Sequence, residues 1–200
     1  MRIRLLNRTP LYDYKEFNKI SQGIDLDLNC IVTPADETAF WIKQIVNNHS
    51  TLRCIHFRVI DKRPRSVIMQ LIRATKGHPQ PVVATSRPDW CNGKERSSDP
   101  YEEKLFGHDH TPESFIAMCM QRLCKRTEER TRKATLEVVE ELKRSSEPVL
   151  KAVGYCCAPA CFWYNACPEI KGCNGADKLY DRFLSKYRQN EAAPNSQGGI

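Results

Sequence analysis

Apolar residues recur along this chain with two periods, and each change of period marks an element. Phe40, Trp41, Ile45 and Val46 follow Thr33-Pro34-Ala35-Asp36-Glu37 at helical spacing. That run predicts a helix with Thr33 as N-cap and Pro34 at its first position, closed by Asn47-Asn48. From Arg53 to Ile60 the pattern becomes an alternation: Ile55, Phe57 and Val59 share one side, His56 and Arg58 the other. This is the signature of a half-buried strand. Arg63-Pro64-Arg65-Ser66 then opens a short amphipathic helix carrying Val67, Ile68, Leu71 and Ile72. It ends at Arg73, because Gly77 and Pro79 are poor helix residues.

The remaining stretches are less regular. Residues 3–29 mix short apolar pieces with turn residues and predict at most a short strand. From Arg73 to about His110 the chain is rich in Gly, Pro, Ser and Asp and reads as a loop, which at such length is usually functional. Thr111-Pro112-Glu113 is the clearest helix start: a capping hydroxyl, a first-turn proline and an acid at the positive end of the dipole. Phe115, Met118, Cys119, Leu123, Val138, Val139 and Leu142 predict one long helix reaching Ser145-Ser146. Its middle carries a charged belt from Lys125 to Lys133, with ion pairs such as Glu128 to Arg132. A cysteine-rich stretch from Cys156 to Cys173 follows. Leu179, Tyr180, Phe183, Leu184 and Tyr187 then predict a last amphipathic helix, before a polar tail over 190–200 expected to be disordered. The fold class implied is α/β (α+β), a mixed sheet with a long central helix, as a single domain over 1–189.

Composition narrows the function. Hydrophobic residues are 40% of the 200 and charged ones 28%, as in an ordinary soluble globular protein. No apolar run approaches the roughly 20 residues of a membrane span. MRIRLLNRTPLYDYKEF has charges but no apolar core, so a secretory leader is not expected. A cytoplasmic, reducing setting follows as the expectation, with free or metal-bound thiols ahead of disulfides. Lys and Arg number 31 against 24 Asp and Glu, a net +7 that suits an anionic partner. Nucleic acid is the weaker choice, since aromatic residues are not interleaved with the basic ones.

Three groups of residues offer chemistry. Gln70-Leu71-Ile72-Arg73 ends a helix, and Ala84-Thr85-Ser86-Arg87-Pro88 offers two hydroxyls and a second arginine. Guanidinium forks match phosphate oxygens, so this is either a phosphate cradle or a solvated basic loop. Arg122 lies beside an apolar stripe and needs a partner, which a bound phosphate would supply. Cys156, Cys157, Cys161, Cys167 and Cys173 are dense enough for a tetrahedral zinc site, with Cys157, Cys161, Cys167 and Cys173 as its candidates. The spacing is not a paired C-x-x-C ladder, so structural thiols are the preferred reading and no metal is expected. Gly107-His108-Asp109-His110 supplies too few ligands from one short loop, and reads as a polar surface.

The order of these elements resembles the flavin-dependent thymidylate synthase family, the ThyX class. Asn48-His49-Ser50-Thr51 stands where that family has Gly-His-x-Ser/Thr, and Ile55-His56-Phe57-Arg58-Val59 where it has an FxF-like strand. Gln70 and Arg73 match the start of its Gln-x-x-Arg-His-Arg signature; Thr85 and Arg87 stand for the serine and arginine of its loop. Arg122-Leu123-Cys124-Lys125-Arg126 fits its long-helix motif, while Pro159-Ala160-Cys161, Cys167-Pro168-Glu169 and Cys173 fit the ending of some members. The likeness spans about Thr33 to Cys173.

The resemblance implies a homotetramer with sites shared between subunits, bound FAD, and methylation of dUMP from methylenetetrahydrofolate with NADPH as reductant. By position, Gln70, Arg73, Thr85, Ser86, Arg87 and Arg122 would hold the nucleotide. His49, Ser50, Thr51, Arg73, Thr75 and His78 would contact the flavin, and no catalytic residue is assigned. Ala74 and Thr75 replace the family's His and second Arg, Val83 its loop glutamate and Pro88 a tyrosine. Glu128 and Arg130 replace the Gln and Glu of the long-helix motif. Lys76, His78 and Gln80 are candidates to refill that space, with His78 equally readable as an ordinary loop histidine. These replacements leave room for two other readings: a related enzyme acting on a different pyrimidine nucleotide, or a non-catalytic basic protein binding nucleotide or nucleic acid, with or without zinc.

Overall fold

The computed structural model describes residues 1–23, 33–74, 81–84, 99–169 and 172–173. Among these residues four strands form one sheet in the order β1-β2-β4-β3, with β1 at Arg2–Leu5, β2 at Phe57–Pro64, β3 at Val82–Val83 and β4 at Glu103–His110. Every pairing is antiparallel, so the expected mixed sheet is corrected. The central pair runs in register from Phe57 opposite His110 to Pro64 opposite Glu103. Successive side chains alternate faces. Phe57, Val59 and Asp61 therefore point inwards with Phe106, His108 and His110, and all six are buried.

β4 lies in the region expected to be loop, and its histidines belong to the core and not to a polar surface. His108 and His110 are 4% and 1% exposed, with ring nitrogens in contact and with Phe57, Phe106 and Phe115 around them. Two imidazoles on inward positions disguise the alternation that Phe106 begins. Asp109, on the outer face, takes both Arg58 nitrogens at 2.6 Å.

Among the described residues seven helices accompany the sheet: α1 at Pro10–Ser21, α2 at Glu37–Val46, α3 at Arg65–Ile72, α4 at Pro112–Arg122, α5 at Glu129–Lys143, α6 at Pro148–Cys156 and the single turn α7 at Ala160–Trp163. α1 was unforeseen because its sequence is polar and only Tyr14 is buried. α2 begins later than expected. Asp36, rather than Thr33, is its N-cap and accepts from the Ala39 amide at 2.9 Å. Asn48 ends it with φ of 51°, a left-handed geometry that asparagine tolerates. Residues Ser50–Cys54 form a 3-10 turn, so the strand starts at Phe57, although Ile55, Phe57 and Val59 are all fully buried as the alternation requires.

The long central helix is two helices. Thr127 Oγ1 donates back to the Gln121 carbonyl at 2.8 Å, and the Glu128 carboxylate accepts from the Arg130 and Thr131 amides. Two capping side chains within one polar belt satisfy helix ends and make a break, which apolar periodicity alone does not register. Glu128 is thus a cap and not the partner of Arg132; the belt's ion pair joins Glu129 to Lys133 at 2.7 Å. Thr111 caps α4 as expected, in a reciprocal box with Ser114.

Helices α3 and α4 pack on the sheet, α5 packs against both of them, and α6 lies between α5 and α2. No helix among the described residues is long and apolar enough to cross a membrane. The amphipathic helix and tail expected after residue 178 lie outside the described residues.

Candidate functional site

Two sequence-predicted nucleotide residues come together. Gln70 lies in the last turn of α3 and Arg122 is the last residue of α4, and both line a cleft of about 620 Å³. The turn from Cys124 to Glu128 forms another wall, with Pro159, Ala160 and Cys161 facing it and Cys167, Pro168 and Glu169 at the side. Leu71 and Leu123 are the last buried leucines of the two apolar stripes, beside Gln70 and Arg122.

Arg122 is half-buried, and its Nε has no hydrogen-bond partner among the described residues. Burial and the neighbouring positive charge of Arg73 both work against its cation and pull its pKa down. Arg73 caps α3 and is exposed. Glu128 also lines the cleft, but its carboxylate is occupied by backbone amides and by the Thr131 hydroxyl at 2.7 Å. A half-buried guanidinium with a cationic neighbour has the chemistry to donate charge-assisted hydrogen bonds to an anion, although Arg73 itself does not line the cleft.

Ala74, which follows Arg73, is 3% exposed and packs into the core. Whatever an imidazole would contact at this position is not reached by a buried methyl. Thr75, His78, Thr85, Ser86 and Arg87, with Lys76 and Gln80, lie outside the described residues.

The residues expected to meet flavin occupy another part of the chain. His49 and Ser50 are exposed on the turn after α2, and the His49 ring meets Tyr14 edge-on at 6.5 Å. The Tyr14 hydroxyl donates to Gln44 Oε1 at 2.9 Å, and the Thr51 side chain lies beside it. None of His49, Ser50 and Thr51 lines the cleft that holds Gln70 and Arg122.

The cysteines divide into two groups. Cys157, one of the four zinc candidates, pairs with the Cys119 thiol in the interior, and burial pushes its own thiol well up. Cys161, Cys167 and Cys173 line the cleft, joined by Cys124, which the reading of a continuous helix had hidden. All eight described cysteines are free thiols.

No model of a known protein family matches this chain, and no curated protein matches it.

Proposed function

We propose that the cleft binds the phosphate of a pyrimidine nucleotide, and that the protein is a flavin-dependent thymidylate synthase-like enzyme acting on dUMP. The observation that carries the phosphate site is Arg122, a half-buried arginine whose buried Nε lacks a described partner, while Arg73 stands nearby outside the lining and Gln70 shares the wall. The nucleotide and the reaction rest on the order of motifs from His49 to Cys173. Arg122 and Arg73 would hold the phosphate, and the Gln70 amide, which can both donate and accept, would orient the ligand.

The fit to FAD is partial. His49 and Ser50 are exposed and open to a cofactor, whereas Ala74 offers it no polar contact. When bound, FAD would carry hydride from NADPH to the one-carbon unit that methylenetetrahydrofolate delivers to the pyrimidine C5. Because the His49 turn does not line the Arg122 cleft, a complete site on this reading joins residues of different subunits, as in a homotetramer.

Ala74 also favours a second reading, in which the scaffold modifies another pyrimidine nucleotide or adds another group. The first experiment is the absorbance of pure protein at the flavin bands, with and without dUMP. Bound flavin perturbed by dUMP is the expected result; colourless protein that takes up no FAD and gains no thermal protection from dUMP sinks the enzyme reading. Growth of a thymidine-requiring strain then separates dUMP methylation from the variant chemistry. Arg122→Ala should weaken nucleotide binding by about 10- to 100-fold, the loss of one or two charge-assisted hydrogen bonds. Unchanged affinity in a calorimetric titration would remove Arg122 from the site.

A further inference from the structure

The outer face of the sheet lies apart from the Arg122 cleft and carries its own pattern. The alternation that sends Val59, Asp61, Phe106 and His108 inwards puts Arg58, Ile60 and Lys62 of β2 outside, with Glu103, Leu105, Gly107 and Asp109 of β4. The register sets Arg2 beside Ile60, Arg4 beside Arg58, and Val82 beside Gly107. Ile60 and Val82 thus flank Gly107 from the strands on either side, two strand spacings or about 10 Å apart. Gly107 leaves the space between them open: an added Cβ would reach the Val82 carbonyl oxygen at 3.9 Å and Ile60 Cγ1 at 4.0 Å, both ordinary contacts. Leu105 closes one end of this trough. It is 51% exposed and Val82 73%, so with Ile60 they make a contiguous aliphatic surface and not isolated residues.

Cations border the trough. Arg58 and Asp109 neutralise each other at 2.6 Å. Arg2, Arg4 and Lys62 are exposed and have no ion pair among the described residues, and Glu103 is the one such acid on the face. At the β1 end Met1, Arg2, Ile60, Lys62 and Leu105 line part of one cavity of about 450 Å³, so charge and aliphatic surface share a concave site. We propose that this face docks an acidic, amphipathic segment of a partner protein, its aliphatic side chains seated over Gly107 and its carboxylates on Arg2, Arg4 and Lys62. Charge selects the occupant. A second copy of this chain would bring the same cations against these, whereas the net +7 of the chain attracts an acidic partner. Single-stranded nucleic acid wants aromatic side chains to stack its bases, and the outer positions of the four strands hold none. The surface shares no residue with the nucleotide cleft, so either proposal can fail without the other.

The test selects binders to full-length protein from a random peptide library long enough for several helical turns. Enriched peptides should combine Leu, Ile or Val with Asp or Glu, and should bind more weakly as salt is raised. Gly107→Leu fills the trough and should weaken them by about 30-fold or more at unchanged melting temperature. Lys62→Glu and Arg2→Glu should each cost about tenfold, and they carry the test if the leucine disturbs the fold. Arg122→Ala should leave the peptides bound. Failure to enrich acidic peptides overturns the proposal, as do peptides that bind the Lys62→Glu and Arg2→Glu variants as well as wild type. Binding of single-stranded DNA or anionic vesicles through Lys62 in their place would also overturn it, as would a dimer of the pure protein that Gly107→Leu dissociates.

Discussion

Arg63 and Asp109 show how differently two charged side chains can be used within one sheet. Arg63 is nearly buried, with its side chain 12% exposed; its Nε meets Asp61 at 2.6 Å and its Nη1 meets Glu137 of α5. Asp61 is itself 5% exposed, and removing the arginine would leave its carboxylate buried without a counter-charge. Arg63→Ala should therefore destabilise the fold by about 3 kcal/mol or more, read as a lower urea midpoint with unchanged slope. Asp109 lies on the outer face, where the Arg58 hydrogen bonds hold its carboxyl below the usual carboxylate range. Since the folded pKa is the lower one, the stabilisation is complete above the unfolded value of about 4 and is lost as pH falls through the folded value. Asp109→Asn should flatten the acid limb of stability below about pH 4 and leave its neutral-pH shape unchanged. An acid titration of melting temperature checks this, and an identical acid limb would show that the pair contributes nothing.

At the scale of elements, legibility followed how much of the information was local. The start of α4 was readable because Thr111, Pro112 and Glu113 each act on their own turn, and the end of α3 because Gly77 and Pro79 lie just beyond it. The break between α4 and α5 was not readable from apolar spacing, since it depends on Thr127 and Glu128 bonding to particular backbone groups. β4 was hidden because histidines occupy two inward positions that stacking and mutual contact make acceptable in the core. Gly154 marks a close helix contact. A Cβ there would stand 2.7 Å from the Lys143 nitrogen and 3.0 Å from Leu142 Cβ, so α6 meets the end of α5 through bare backbone. Backbone atoms cannot swing aside as a flexible side chain can. Gly154→Ala should cost about 1–3 kcal/mol by forcing the two helices apart, despite the better helix propensity of alanine. A thermal melt of that variant at or above wild-type stability would show that the helices can separate freely.

Over the whole molecule, the sheet and helix layers are joined by both apolar packing and the Asp61–Arg63–Glu137 bridge. Of the candidate site, Gln70 and Arg122 line one cleft although 52 positions apart, because each lies in the last turn of a helix. Sequence reading placed Cys157 with the cleft cysteines because proximity along the chain was its only guide, whereas the α6 end turns Cys157 towards Cys119 and leaves Cys124 to the cleft. Nor could the sequence separate the His49 turn from Arg122, since that depends on the 50–54 turn packing at the start of α4, where Arg53 meets Glu113, while Arg122 closes its other end. β1 carries a consequence for assembly. It is a four-residue edge strand with Arg2 and Arg4 exposed. Were two copies to join sheets antiparallel through this edge, centred on Ile3, each Arg2 would face the other copy's Arg4. Like charges set opposite each other across strands repel, and basic edges resist such pairing. Copies of this chain are thereby steered from edge-to-edge growth towards contact through helices and turns, so a tetramer would be built by docking faces rather than by lengthening the sheet.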